Sequence, residues 1–351
     1  MQSVEWPGEA MALYAFDGTK DRWDERSPIT FTAKTQAGRY LSNVVLFYQA
    51  YRDSGLLAHY FPGVGSTMGL LDRTLGVAFG AGAWGIVNRA WRQLKANFPQ
   101  GDRTIDIVGY SRGAAIARVF ADRTYRRYSQ IVDATGNPLT EPPPIRFIGL
   151  FDTVASFGIP LNDNELFFQE RIPPTAQQTF HAMSLDVKRP GFGLDRAYGD
   201  NVLEVWFRGG HKDIGGNAAL QDGAPNRTRG NIPLVFMLKK AIASGLALTV
   251  DFERYPTDPW APVTLEDNTL ESDPSRAPRQ YDVFHHSLFD AAGQVIPFPG
   301  VVTLPERRSL VIEETINESE LSEQRLIQLT PTLAAAYPDT QTIYTKLYEG
   351  L

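Results

Sequence analysis

Ser111, Asp152 and His211 have the types, chain order and local settings that nucleophilic acyl transfer requires. A serine hydroxyl is a weak nucleophile at neutral pH. It needs a base to take its proton, and the base needs a carboxylate to hold its tautomer and orientation. Ser111 is the centre of Gly109-Tyr110-Ser111-Arg112-Gly113. That pentapeptide follows the β-like run Thr104-Ile105-Asp106-Ile107-Val108 and opens the helix-like run Ala114 to Ala121. Strand, G-x-S-x-G and helix together form the setting of a nucleophile elbow, in which a sharp turn lifts the serine oxygen above the sheet. Gly109 and Gly113 fit there because side chains at those positions would strike the strand and the helix.

The order Ser, acid, His is that of the α/β-hydrolase arrangement, whose working residues lie beyond the carboxyl ends of the strands. Five histidines are available: His59, His181, His211, His285 and His286. His211 follows the buried-strand pattern Val202 to Phe207 and sits in a glycine-rich loop, Gly209 to Gly216. His59 lies inside a strand pattern and reads as packed, and His181 reads as structural. His285 and His286, in Val283-Phe284-His285-His286-Ser287, are the rivals as base. Asp152 is the favoured acid because it ends the apolar run Ile145 to Phe151. Asp186 and Asp200 are the weaker alternatives, since neither directly ends a clear strand. Asp17-Gly18-Thr19 closes the first strand. One oxyanion-hole amide is expected from Gly18 or Thr19 and the other from Arg112, with Asp17 and Asp213 as supporting groups. No spacing of ligands points to a metal, and the chemistry needs no cofactor.

The elements that must position these residues are an alternation of strands and helices. Met11 to Phe16, Leu56 to Phe61, Thr104 to Val108, Ile145 to Phe151 and Val202 to Phe207 read as strands. Ser42 to Ser54, Ala83 to Phe98, Ala114 to Ala121 and Ile232 to Ser244 read as helices. The expected fold is α/β: a mainly parallel, α/β-hydrolase-like sheet flanked by helices, in a single domain over residues 1–351. Residues 157–200 and 251–300 break the alternation and are expected as loop, cap or lid insertions. Phe157, Leu166, Phe167, Phe168 and Phe180 are candidates to line an acyl-chain pocket. The final stretch, Ser309 to Leu351, carries an acidic helix-like run, Glu318 to Leu329, expected to pack back on the domain.

The chain has 351 residues, 43% hydrophobic and 21% charged, which is ordinary for a globular protein. A net charge of -6 argues against nucleic acid as partner. With no cysteine, disulfides, thiol catalysis and cysteine-based metal sites are excluded. Met1 to Met11 shows neither the basic nor the apolar region of a classical signal peptide. The most apolar stretch, Leu75 to Val87, is too short to span a bilayer.

Several segments in order resemble the α/β-hydrolase-like catalytic domain of type VI secretion phospholipase effectors. Phe16-Asp17-Gly18-Thr19 is similar to the family's F-D-G-T, and Tyr60 to Gly65 to its Y-x-x-G-V-G. Leu71-Asp72-Arg73, with Gly76, Ala78-Phe79-Gly80 and Gly82, is similar to its glycine-rich approach to the nucleophile helix. Gly109 to Ala114 with Ala117-Arg118 resembles G-[FY]-S-R-G-A-x-x-A-R, and Phe151-Asp152-Thr153-Val154 resembles [WF]-D-T-V. Glu204 to Phe207 with Gly210 to Gly216 resembles E-V-W-F…G-x-H-x-D-I-G-G, while the opening G-T-x-N is here Gly18-Thr19-Lys20-Asp21. The resemblance implies a triad of Ser111, Asp152 and His211 and a lipid ester substrate, a glycerophospholipid in particular. It also implies secretion-spike and immunity proteins as partners, transient contact with a membrane surface, and passage from the producing bacterium's cytoplasm into target cells without a signal peptide. Two other readings remain beside it: a small-ester or thioester hydrolase not directed at membranes, and a non-enzymatic interaction protein on the same fold.

Overall fold

Apolar runs that are buried on both faces pair in parallel when helices carry the chain back between them. In the computed structural model, which describes residues 10–24, 29–30, 32–34, 38–65, 76–155, 171–187, 192–265, 274–279, 282–290, 294–298 and 310–312, this produces one eight-stranded sheet. Its strands are β1 (Ala10–Phe16), β2 (Leu57–Phe61), β3 (Asp102–Tyr110), β4 (Ile145–Phe151), β5 (Ala176–Ser184), β6 (Val202–Phe207), β7 (Val283–His285) and β8 (Leu310–Ile312). The spatial order is β2-β1-β3-β4-β5-β6-β7-β8, and every pair is parallel. The order reverses at β1, so the ends of β1 and β3 flank a topological switch point, where crevices form in such sheets.

The helices are α1 (Asn43–Asp53), α2 (Gly76–Asn97), α3 (Arg112–Arg126), α4 (His211–Gly215) and α5 (Arg227–Ala243). Alternate residues of β1 feed two cores. Leu13 and Ala15 pack with α1 and α5, whereas Ala12, Tyr14 and Phe16 pack with α2 and α3. Ser42 caps α1, its hydroxyl accepting from the Val45 amide at 3.3 Å. Arg118 of α3 is buried and donates to Asp195 at 2.9 Å, fixing the helix to the segment before β6. No helix among the described residues is long and apolar enough to cross a membrane.

Three sequence expectations need revision. Residues 157–200 do not only cover the sheet, because β5 inside them pairs between β4 and β6. Its Gln177, Gln178, Thr179 and His181 hide the strand from a search for apolar runs. Residues 251–300 likewise supply β7. Helix α5 starts at Arg227 rather than Ile232, since Arg227, Arg229 and Asn231 are buried polar residues that donate hydrogen bonds to neighbouring segments. Phe157, Leu166, Phe167, Phe168, Leu71-Asp72-Arg73 and the run Glu318 to Leu329 lie outside the described residues.

Candidate active site

The sheet register aligns the strand ends that matter. Phe16 pairs with Gly109, Tyr110 with Phe151, Phe151 with Ala182, and Ser184 with Phe207. The chain therefore leaves the sheet at Asp17, Ser111, Asp152 and Arg208 along one edge. Ser111 has φ 56° and ψ −126°, between β3 and the first turn of α3. A non-glycine residue held there stores roughly 1–3 kcal/mol of strain. A Cβ on Gly109 would lie 2.7 Å from Ala114 Cα, and one on Gly113 would lie 2.3 Å from the Phe16 carbonyl oxygen. The elbow thus forms only with glycine at both flanks.

Ser111 Oγ lies 2.8 Å from His211 Nε2, and His211 Nδ1 lies 2.6 Å from Asp152 Oδ2. Ser111, His211 and Asp152 are all buried, at 3%, 5% and 0% exposure. Asp152 is itself held in a left-handed conformation, φ 42°. Its Oδ1 accepts from the Ser184 amide at 2.8 Å and from Arg276 Nη1 at 2.9 Å, and its Oδ2 accepts from Arg276 Nη2 at 3.1 Å. Burial pushes the carboxyl up, but the Arg276 charge and the hydrogen bonds from His211 and Arg276 outweigh it and hold Asp152 well below the usual carboxylate range. An ionised carboxylate only accepts, so His211 Nδ1–H donates to Asp152. Nε2 is then the acceptor for the Ser111 hydroxyl.

The loop after β1 reaches the first turn of α3. Asp17 is buried, and its carboxylate accepts from Tyr60 at 2.6 Å, Ser42 at 2.7 Å and the Gly18 amide at 2.8 Å. Burial raises the Asp17 carboxyl, with these three bonds opposing. Asp21, also buried, is raised well above its usual value by burial and by the charge of Asp17. The Gly18 amide is therefore committed within the loop. Arg112 Nη1 donates to Thr19 Oγ1 at 3.0 Å and ties that loop to α3. Amides at the start of a helix have no partner within it, and Arg112 is the first residue of α3.

Asp213 stays beside the site without entering it. It accepts from the Gly210 amide at 2.9 Å, the Thr264 amide at 2.8 Å and Asn226 at 2.9 Å. Burial raises it to about 6 against the pull of those amides. The rival residues all lie elsewhere. Burial takes His59 in β2 down to about 4. His181 bonds Thr153 and Glu204 at 3.0 and 2.9 Å, immediately behind the Asp152 turn. His285 is buried and stacked on Phe207, and His286 packs on His285. Asp186 pairs with Arg208, Asp200 is exposed, and Phe180 packs in the core with Phe147 and Phe236 instead of lining a pocket.

Sequence reasoning did not single out Tyr110, Phe192 or Arg276. The Tyr110 ring packs 4.9 Å from the His211 ring, and its hydroxyl donates to the His211 carbonyl at 3.3 Å. A Cβ on Gly18 would lie 2.7 Å from that ring and one on Gly215 only 2.1 Å. The glycines of the two loops are the signal that could have located Tyr110. Phe192 stands edge-on to His211 at 5.0 Å.

The sequence pattern of the family described as "T6SS, Phospholipase effector Tle1-like, catalytic domain" matches residues 13–136 and 123–240. None of the curated proteins compared with the chain matches it. Among the solved structures that are similar, two have 21% identity and a TM-score of 0.43 each. One is an uncharacterized protein from Pseudomonas aeruginosa, the match covering 71% of this chain and 48% of that one. The other is the Tle1 effector bound to the VgrG spike of the Type 6 secretion system, with 60% and 51% covered. The chain thus spans about half the length of the solved chains it matches.

Proposed function

The chain belongs to the Tle1-like phospholipase effector catalytic-domain family, and from that premise we propose that it is a serine hydrolase cleaving carboxylic esters of phospholipids. The observation that carries the reading is the relay Ser111–His211–Asp152, hydrogen-bonded at 2.8 and 2.6 Å beside an elbow serine. His211 Nε2 takes the Ser111 proton as Oγ attacks the ester carbonyl carbon. The oxyanion rests on the amides of Arg112 and Thr19. As the ester C–O bond breaks, His211 gives its proton to the departing alcohol. Water then attacks the acyl-enzyme by the same route and releases the fatty acid. Asp152 stays ionised throughout and keeps His211 Nδ1 protonated. As an effector, the protein would be carried by a secretion spike and restrained in its producer by an immunity protein. The biological target would be the membrane of another bacterium.

Purified protein and its Ser111→Ala variant, offered a long-chain phospholipid and a short-chain ester, test the proposal. Fatty acid released from phospholipid by the first and not the second is the expected outcome. Release that survives Ser111→Ala removes the mechanism. Serine-dependent cleavage of the short ester alone keeps the mechanism and removes the lipid.

A further inference from the structure

Arg276 lies beyond the family-matched residues 13–240, in a single 3-10 turn, Pro274–Arg276, within the long connection from β6 to β7. It is 2% exposed, and three of its nitrogens are engaged. Nη1 donates to Asp152 Oδ1 at 2.9 Å and to the Ser184 carbonyl at 3.2 Å, Nη2 donates to Asp152 Oδ2 at 3.1 Å, and Nε donates to the Phe192 carbonyl at 2.7 Å. The neighbouring Ser275 Oγ accepts from the Leu194 amide at 2.9 Å. One turn thus grips both the carboxylate of the relay and the segment whose Phe192 ring stands against His211.

We infer that Arg276 is a positioning residue for the Asp152–His211 pair. The inference rests on the hydrolase reading above. A carboxylate has one rotation that matters for aiming Oδ2 at His211, and the two-pronged guanidinium contact fixes it. A lone ammonium cannot make that planar contact. Asp152 is fully buried and conformationally strained, so without Arg276 its charge would face, among the described residues, only the Ser184 amide and His211. Among the described residues, the titratable or charged groups facing Asp152 are His211 from α4 and Arg276 from the 3-10 turn. At the ends of β5 and β6, Asp186 and Arg208 pair with each other at 2.9 Å, and Glu204 is occupied by His181 and Arg196.

Arg276→Gln and Arg276→Lys in the full chain test this by steady-state kinetics over a range of pH, with circular dichroism as the check on folding. For Arg276→Gln, kcat falls about 10²-fold with KM changed by less than about twofold, because the residue aims the base and does not touch substrate. The acid limb of the rate profile moves to higher pH, since the relay loses the buried positive charge that opposes its taking up a proton. Arg276→Lys restores only part of the rate. In an Asp152→Asn background, Arg276→Gln costs almost nothing more, because its route of action is already cut. A folded Arg276→Gln with kcat within about threefold of wild type and an unmoved acid limb overturns the inference. So does a full additional loss in the Asp152→Asn background. A measurement without substrate separates this from failure of the hydrolase reading: the low-field proton resonance of the His211–Asp152 bond. It is expected in wild type and displaced in Arg276→Gln and Arg276→Lys, and its persistence unchanged in both overturns the inference whatever the protein hydrolyses.

Discussion

Replacing Gly215 with alanine adds one methyl group at the end of α4, and the structure makes that methyl costly. The new Cβ would sit 2.1 Å from Tyr110 Cζ and 2.5 Å from its hydroxyl oxygen. Carbon atoms in contact sit near 3.5–4.0 Å, so ring and methyl must part by about 1.4 Å or more. Tyr110 cannot yield, because it is 2% exposed and its other edge already meets Gly18. The movement therefore falls on α4, which carries His211 at its first position. Overpacking of this kind costs about 1–3 kcal/mol, and an anchored aromatic neighbour puts the change at the upper end. A shift of His211 by about 1 Å adds a loss near 10²-fold in kcat. Urea unfolding midpoints and ester hydrolysis measure the two effects. Gly85→Ala in α2 is the control, since the nearest atom to its Cβ is the tip of Arg89 at 3.9 Å, and alanine there stabilises by up to about 1 kcal/mol. A Gly215→Ala protein with wild-type midpoint and rate would refute the reasoning.

Ser111→Gly and Ser111→Ala should both abolish hydrolysis yet differ in stability. Glycine accepts φ 56° without penalty, so the glycine variant should unfold about 1 kcal/mol harder than the alanine variant, and the reverse order would deny the strain. Asp213 offers a pH test. Its folded value near 6 lies above the ordinary 3.8. The native state therefore holds the proton more tightly than the unfolded chain. The resulting stability is present in full below about 4 and is lost as pH rises through about 6. Asp213→Asn cannot titrate, so its melting temperature should fall less steeply across that window. An equally steep fall would show that Asp213 does not carry the effect.

Strands β1, β2, β4 and β6 were legible because apolar residues dominate each between turn signals, with at most one charged or histidine side chain in each run. β5 was not, because its Gln178 and His181 side chains find partners that no local pattern reveals. His181 is the clearest example, since its two partners lie on either side of it in the sheet, at Thr153 and Glu204. The site followed the same division. Ser111, Asp152 and His211 each sit just past a readable strand or in the glycine-rich loop that follows one, so the sheet register brings them together. Gly18 appeared able to offer its amide outward, but the carboxylate of Asp17 takes it, a contact within two residues that only the loop's conformation decides. Arg276 stands in a proline- and aspartate-rich stretch with no period, and its partner lies 124 residues earlier. Nothing local could have joined them.

Those separations also set a timetable. The contacts that make the relay close spans of 59 residues from Asp152 to His211, 100 from Ser111 to His211 and 124 from Asp152 to Arg276. Contacts so distant along a chain form late, after the entropy of closing the intervening loops has been overcome. A ribosome that has passed Asp152 but not His211 has made the elbow and the acid but neither the base nor its clamp. Strands and helices can therefore accumulate during synthesis while the chain remains chemically silent. On the proposed hydrolase reading, activity then waits for the last distant segment to dock.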